Sequence, residues 1–393
     1  MSWPLVKLKD VAEINPRLPK NVDESQIVTF LPMAAVSEQG QILKQEKRIL
    51  NETRKGFTYF EKNDVVVAKI TPCFENGKAA YLGSLETQIG FGTTEFHVIR
   101  ADIEKLDAKY LFYLVWNKWF RHLGERNMSG SGGQKRVPAD FLKELEIPLP
   151  PLDEQKRIAA ILDKADAIRR KRQQAIQLAD DFLRSVFLDM FGDPVTNPKG
   201  WEVKSLKDIA RIQIGPFGTQ LHKEDYIENG IPLINPTHIV KGEIIPKANL
   251  TISNEKHASL SEYHLKTGDI VMGRRGEMGR CAIVNSKEEG WMCGTGSLFI
   301  RPKQTGVFSE YLNQLLSSQA IKNHLESESQ GATMPNLNKT IVGNIKIPVP
   351  TDEVLEQFTV IKETFLKTKS SVIDSLNAPL FESLSQKAFA GEL

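Results

Sequence analysis

Trp3-Pro-Leu-Val-Lys-Leu-Lys-Asp-Val-Ala-Glu-Ile14 is echoed by Trp201-Glu-Val-Lys-Ser-Leu-Lys-Asp-Ile-Ala-Arg-Ile212, with the same tryptophan, Leu-Lys-Asp core and apolar positions. Self-similarity at an offset of roughly 200 residues marks an internal duplication, and two similar units on one chain suggest two similar tasks. Further landmarks follow in the same order. Asn63-Asp64-Val-Val-Val-Ala-Lys-Ile70 matches Gly268-Asp269-Ile-Val-Met-Gly-Arg-Arg275, each a turn feeding an apolar strand. Gly92-Thr-Thr-Glu-Phe-His-Val-Ile-Arg100 matches Gly294-Thr-Gly-Ser-Leu-Phe-Ile-Arg-Pro302, and Tyr110-Leu111 matches Tyr311-Leu312. Ile147-Pro-Leu-Pro150 and Ile347-Pro-Val-Pro350 close the two units. The segments between landmarks differ freely, as expected of a duplicated scaffold whose loops have diverged.

The 393 residues, 40% of them hydrophobic, suffice for two globular cores. A net charge of +2 neither announces nor excludes nucleic acid, because binding depends on where Lys and Arg cluster. Cys73, Cys281 and Cys293 are odd in number and lack C-x-x-C spacing, which argues against a disulfide framework or a zinc site. The opening residues carry no basic-then-apolar signal, and no apolar run approaches the roughly 20 residues of a membrane span, so a cytoplasmic protein is expected.

Residues 153–191 contain no Gly or Pro and favour a long helix. Ile158, Ile161, Ala165, Ile168, Ala175, Ala179, Phe182 and Val186 follow three-four spacing, interrupted by Arg172. At about 1.5 Å per residue the helix is on the order of 55 to 60 Å long. Gly192-Asp193-Pro194 stops it. From Asp352, a second stripe of Phe358, Ile361, Phe365, Val372 and Leu376 runs to Asn377-Ala-Pro379, after which a last amphipathic piece carries Phe381, Leu384 and Phe389. Two stripes in one chain can satisfy each other as an antiparallel coiled coil.

Within the first unit, residues 27–36, 65–70, 78–82 and 95–99 read as strands and 108–123 as a helix. In the second, 231–234, 270–272, 281–284 and 297–300 read as strands and 309–324 as a helix. The expected architecture is α/β: two similar mixed-sheet domains, 1–151 and 193–350, with long helices at 152–192 and 351–393.

A duplicated enzyme should show its catalytic set twice, and this chain does not. There is no P-loop and no H-E-x-x-H. Gly273-Arg-Arg-Gly276-Glu-Met-Gly279 is followed by strand-like Cys281-Ala-Ile-Val284 where a dinucleotide cradle needs a helix. Asn235-Pro236-Thr-His238 lacks the second proline and the aromatic of the amino-methyltransferase box. The Asp193…Glu202-Val-Lys204 imitation of a nuclease pattern has Pro4 at the repeat position of Glu202. What remains is a set of polar, glycine-rich, basic loops at equivalent places. Arg274 and Arg275 follow one strand, and Lys69 its counterpart. Ser129, Gly130, Gln134, Lys135 and Arg136 precede the first Ile-Pro landmark; Thr333, Asn336, Asn338 and Lys339 precede the second. Thr93, Thr94, Thr295 and Ser297, in the matched Gly-Thr stretches, complete the candidates. Arg, Gln and Asn can read base edges, while Lys, Ser, Thr and backbone N–H groups hold phosphates.

The Trp-to-Leu-Lys-Asp starts, the Ile-Pro-x-Pro ends, the helix openings Asp153-Glu-Gln155 and Leu355-Glu-Gln357, and Phe191-Gly-Asp-Pro194 with Asn197-Pro-Lys-Gly-Trp201 together resemble the specificity subunit of type I restriction-modification enzymes. The resemblance covers the whole chain. It implies a non-catalytic DNA-binding subunit in which each globular domain reads half of a split target. Two helices would set the spacer and dock two methyltransferase subunits, with Ile158, Ile161, Ile168, Phe182, Val186, Phe358, Ile361, Phe365 and Val372 on the docking helices. It implies no cofactor or metal on this chain; S-adenosylmethionine, ATP and Mg would belong to modification and restriction subunits. A free-standing DNA methyltransferase or nuclease, or a coiled-coil scaffold without DNA binding, are the alternatives.

Overall fold

The computed structural model describes residues 3–131, 133–275, 279–328, 336–374 and 380–393, with the side chains of Thr219 and 368–374 left aside. Two compact units divide the chain: Met1–Ala175 with Ile373–Leu393, and Ile176–Val372. The expected boundaries at 151 and 193 therefore do not bound the compact units, which share the central helix between them.

In the first unit, Val65–Ala68 is apolar at every position and buried on both faces. It lies in a four-stranded antiparallel sheet ordered Ala12–Ile14, Phe96–Ala101, Val65–Ala68, Ala79–Tyr81. A second sheet, ordered Glu46–Ile49, Ile27–Leu31, Ile89–Gly92, Thr58–Glu61, pairs Ile27–Leu31 parallel to Ile89–Gly92, so the unit is mixed as expected. The second unit repeats both sheets: Ala210–Ile214, Ser297–Pro302, Ile270–Gly273, Cys281–Ile283, and a smaller one in which Ile231–Ile234 runs parallel to Met292–Cys293.

The opening and closing landmarks of each unit are two strands of one ladder. Val6 lies opposite Ile147 in the first unit and Lys204 opposite Ile347 in the second. The repeated tyrosines lock the ladder, Tyr110 Oη donating to the Pro148 carbonyl at 2.8 Å and Tyr311 Oη to that of Pro348 at 2.7 Å. The expected helix over 108–123 is two helices, Ala108–Trp116 and Lys118–Arg126, because Asn117 leaves helical conformation and caps the second by accepting the Trp119 N–H at 2.8 Å. The same break divides Val307–Leu316 from Gln319–Glu328.

The pairing corrects one sequence match. Ile99 faces both Ile14 and Val65, as Ile300 faces both Ile212 and Ile270, so Arg100 corresponds to Arg301 and not to Pro302. Aligning Gly92 with Gly294 slips the strand by one residue, which would exchange its inner and outer faces. Chemistry agrees with the corrected register: Arg100 Nε and Nη2 donate to Asp64 at 2.8 Å each, and Arg301 does the same to Asp269 at 2.7 and 2.6 Å. Both aspartates are buried, and each also accepts a backbone N–H three residues upstream. The two glutamines of the helix openings are likewise not equivalent. Gln155 is buried, bridging Asp107 N, Lys105 O and Pro150 O, whereas Gln357 is exposed and Leu355 fills the corresponding place.

The central helix is continuous over Leu152–Phe191. Its beginning belongs to the first unit, where Ile158, Ala159 and Leu162 enter the core. Its end belongs to the second, where Phe187 and Phe191 pack on Tyr311 and on Phe358 of the distal helix Asp352–Asp374. Phe182 meets Phe365, so rising numbers on one helix meet falling numbers on the other, as an antiparallel pair requires. The Asn377-Ala-Pro379 break lies outside the described residues, but the helix beyond it, Leu380–Ala390, closes against the first unit. Phe389 packs on Tyr110, and Phe381 on Tyr113 and Trp116. Phe389 on Tyr110, with ring centroids 5.5 Å apart, repeats Phe187 on Tyr311, at 5.7 Å.

Candidate nucleic-acid interface

The strand Val65–Ala68 ends where three expected segments converge. Lys69 N donates to the Glu95 carbonyl at 2.9 Å, and the Lys69 carbonyl accepts Val137 N at 2.8 Å. Thr71 N donates to Lys135 O at 3.0 Å, while Ser129 and Arg136 exchange backbone bonds of 3.0 and 2.8 Å. The polar loop is thus a small hairpin stitched to the end of the sheet. Gly130 makes its closure possible: at φ +127° a side chain is strained, and a Cβ would stand 2.7 Å from the Gln134 carbonyl. The hairpin leaves Ser129, Gln134 and Lys135 exposed, with Thr94 exposed and Thr93 half-buried beside it.

Arg136 is not a free cation. Its Nε and Nη2 each donate to the Glu95 carboxylate at 2.9 Å, a bidentate clamp that holds the Glu95 carboxyl below its ordinary range. Beneath them the neutral His97 ring bonds the Val137 carbonyl through Nε2 at 2.8 Å and lies 3.2 Å from Asn15 Nδ2 through Nδ1. Burial pushes its pKa down. Glu95 and His97 were absent from the sequence-based set. Their repeat positions hold Gly296 and Leu298, so a search for repeated chemistry passes over them.

In the second unit the same backbone scaffold carries different side chains. Arg274 N donates to Gly296 O at 3.1 Å and Arg274 O accepts Leu337 N at 3.0 Å, which aligns Arg274 with Lys69, Gly296 with Glu95 and Asn336 with Arg136. Expected to face a ligand, Arg274 is instead 8% exposed, with Nε bonded to Asn336 Oδ1 at 3.0 Å and Leu337 O at 3.2 Å. Burial, then neighbouring Arg275, lowers its pKa. Arg275 and Lys339 are exposed and Thr295 is half-buried. Ser297 is fully buried opposite Gly273, inside the sheet and not at its lip. Asn338 caps the helix Lys339–Gly343, accepting Thr340 N and Ile341 N at 2.9 Å each. Thr333 lies outside the described residues. Arg274 and Asn338 therefore shape the loop, and Arg275 and Lys339 are the groups it presents.

The docking-helix residues also divide. Ile158 and Phe358 are buried in the cores of their own units, and Val186, Ile161 and Phe365 are half-buried. Ile168, Ile361 and Phe182 are exposed, the last at 50%, joined by Leu178 at 61%. The side chain of Val372 lies outside the description. No group of three or more metal-ligating side chains occurs among the described residues, nor any described helix long and apolar enough to cross a membrane.

This duplicated scaffold matches the family model described as Type I restriction modification DNA specificity domain, over residues 2–178 and again over 198–370. The chain belongs to that family. Among type I specificity relatives, the EcoAI specificity subunit of Escherichia coli is 43% identical over 157 residues, 40% of this chain and 26% of that protein. The MjaIX specificity subunit of Methanocaldococcus jannaschii is 27% identical over 296 residues, 70% of this chain and 63% of that one. The matches thus span about a quarter of the first relative's length and under two thirds of the second's. A chain from a structure of complex assembly and conformational transition in the type I system aligns over 100% of this chain and 98% of its own, with a TM-score of 0.55 at 20% identity. The type I S subunit of M. genitalium aligns over 98% and 96%, with a TM-score of 0.53 at 17% identity. These two likenesses show a shared fold.

Proposed function

We propose that the chain is the DNA-reading subunit of a type I restriction-modification complex, each unit recognising one half of a bipartite, asymmetric target. The carrying observation is a constant scaffold with unlike side chains at one lip. Lys69, Glu95 and Arg136 occupy in the first unit the places that Arg274, Gly296 and Asn336 occupy in the second. Identical frames presenting different hydrogen-bonding groups suit two different half-sites. In the first unit Gln134, Lys135 and the Glu95-clamped Arg136 are the reading groups; in the second, Arg275 and Lys339 with Asn336.

The central helix, 40 residues and about 60 Å long, exceeds one DNA turn of roughly 34 Å and suits a spacer-setting role. The exposed Ile168, Leu178, Phe182 and Ile361 suit docking of modification subunits. Adenine methylation with S-adenosylmethionine, and ATP- and Mg-dependent cleavage, belong in this reading to the modification and restriction subunits, and the chain works in the cytoplasm. Gel-shift titration of the chain with modification subunits on target duplex, at two salt concentrations, tests it. The expected outcome is specific binding that weakens with salt as phosphate contacts demand. Binding without sequence preference would refute it.

A further inference from the structure

The repeat supplies a comparison within one chain. Beside the second helix of each unit lies a groove in the same place: about 580 Å³ in the first and about 780 Å³ in the second. Corresponding residues line them. A Cβ on Gly77 (φ +82°) would meet Arg121, and one on Gly279 (φ +75°) would meet Lys322. A turn with left-handed glycine, Gly40 in the first unit and Gly242 in the second, forms the facing wall.

The walls differ in charge. In the first unit the turn contributes Glu38, and the C-terminal helix adds Glu382 to the cations Lys118, Arg121 and Arg169. That groove is internally bonded: Glu38 accepts Asn76 Nδ2 at 2.8 Å, its carbonyl accepts Trp116 Nε1 at 3.3 Å, and Lys118 lies 3.8 Å from Glu382. In the second unit Lys241 stands at the turn, and Arg184 and Lys322 join it; among the described lining residues the one carboxylate is Asp193. Asp193 is occupied with its own turn, accepting Val195 N and Thr196 N at 2.9 Å each.

We propose that this basic groove of the second unit docks an acidic, apolar-bearing segment of a partner protein. Lys241, Lys322 and Arg184, facing one committed carboxylate among the described residues, are complementary to carboxylates. Leu188 and Val240, exposed at 45% and 40%, offer apolar contact at its rim. The floor holds Asn313, whose buried Oδ1 has no hydrogen-bond partner among the described residues and so calls for a donor. A peptide N–H supplies that donor; a DNA phosphate does not. The inference goes beyond DNA reading and is independent of it.

The test is fluorescence anisotropy on the full chain with a short labelled peptide of alternating glutamate and leucine. Lys241→Glu/Lys322→Glu should weaken binding roughly tenfold or more. A lysine-for-glutamate peptide should gain affinity for that variant, and duplex binding should stay unchanged. Melting by circular dichroism checks that the variant folds. The milder Lys241→Asn/Lys322→Gln, which keeps a left-handed-tolerant residue at the turn, should fall in between. Equal peptide binding by wild type and both variants, or no binding at all, overturns the proposal. Loss of duplex binding in the charge-reversed variant would instead assign the groove to nucleic acid.

Discussion

Replacing Glu95 with Gln keeps the shape of the clamp on Arg136 while removing its charge. The two side chains are 25% and 42% exposed, so the pair is screened by solvent and its loss should change stability little. Its larger effect falls on DNA. Released from its carboxylate, the Arg136 guanidinium at the hairpin base becomes available to phosphate. One added phosphate contact steepens the dependence of log K on log salt by about 0.9, so affinity lost between 50 and 200 mM salt should grow by roughly three- to fourfold. Anisotropy titrations on one duplex across that salt range measure the slope, and thermal melting confirms folding. Discrimination at the first half-site should relax while the second is unaffected, because Gly296 offers no equivalent charge. An unchanged slope and unchanged first half-site in a well-folded Glu95→Gln protein would refute the placement of this hairpin on DNA.

The repeated ion pairs should be costly to break one partner at a time. Asp269→Ala should lose on the order of 3 kcal/mol, since it removes the carboxylate clamped by the partly buried Arg301, whereas Asp64→Ala should lose less because Glu61 stays 3.2 Å from Arg100; calorimetry should show each lowering mainly its own unit's transition. His97 gives a pH signature. Its folded pKa lies below 6.5, so between the two values the unfolded chain holds a proton that the folded one does not, and first-unit stability should fall as pH drops below about 6.5. His97→Gln should flatten that decline in acid melting curves. Phe389→Ala should destabilise the first unit by about 1 to 3 kcal/mol through the lost packing on Tyr110, whereas a dispensable tail would leave its melting unchanged.

The duplication and its strands were legible because they are local and periodic. Apolar runs such as Val65–Ala68 and the Gly- and Pro-free central helix announce themselves within a few residues. What stayed hidden depends on partners distant in sequence. Nothing near Glu95 shows that Arg136, 41 residues away, will close on it, nor near Arg274 that Asn336 and Leu337 will draw its guanidinium inward. The Gly92 and Gly294 match misled because the Gly-Thr turn shifted by one residue while the strand kept its register through Arg100 and Arg301. Ile158 and Phe358 lie on helical stripes, and a stripe alone does not distinguish a domain core from a docking face.

In the proposed function two similar frames read two different half-sites independently of each other. The most direct measurement exchanges residues 1–150 for the equivalent unit of a relative with a different target, and maps the methylated motif in a host carrying the modification subunits. One half of the motif should change while the other half remains. A change in both halves, or in neither, would contradict it.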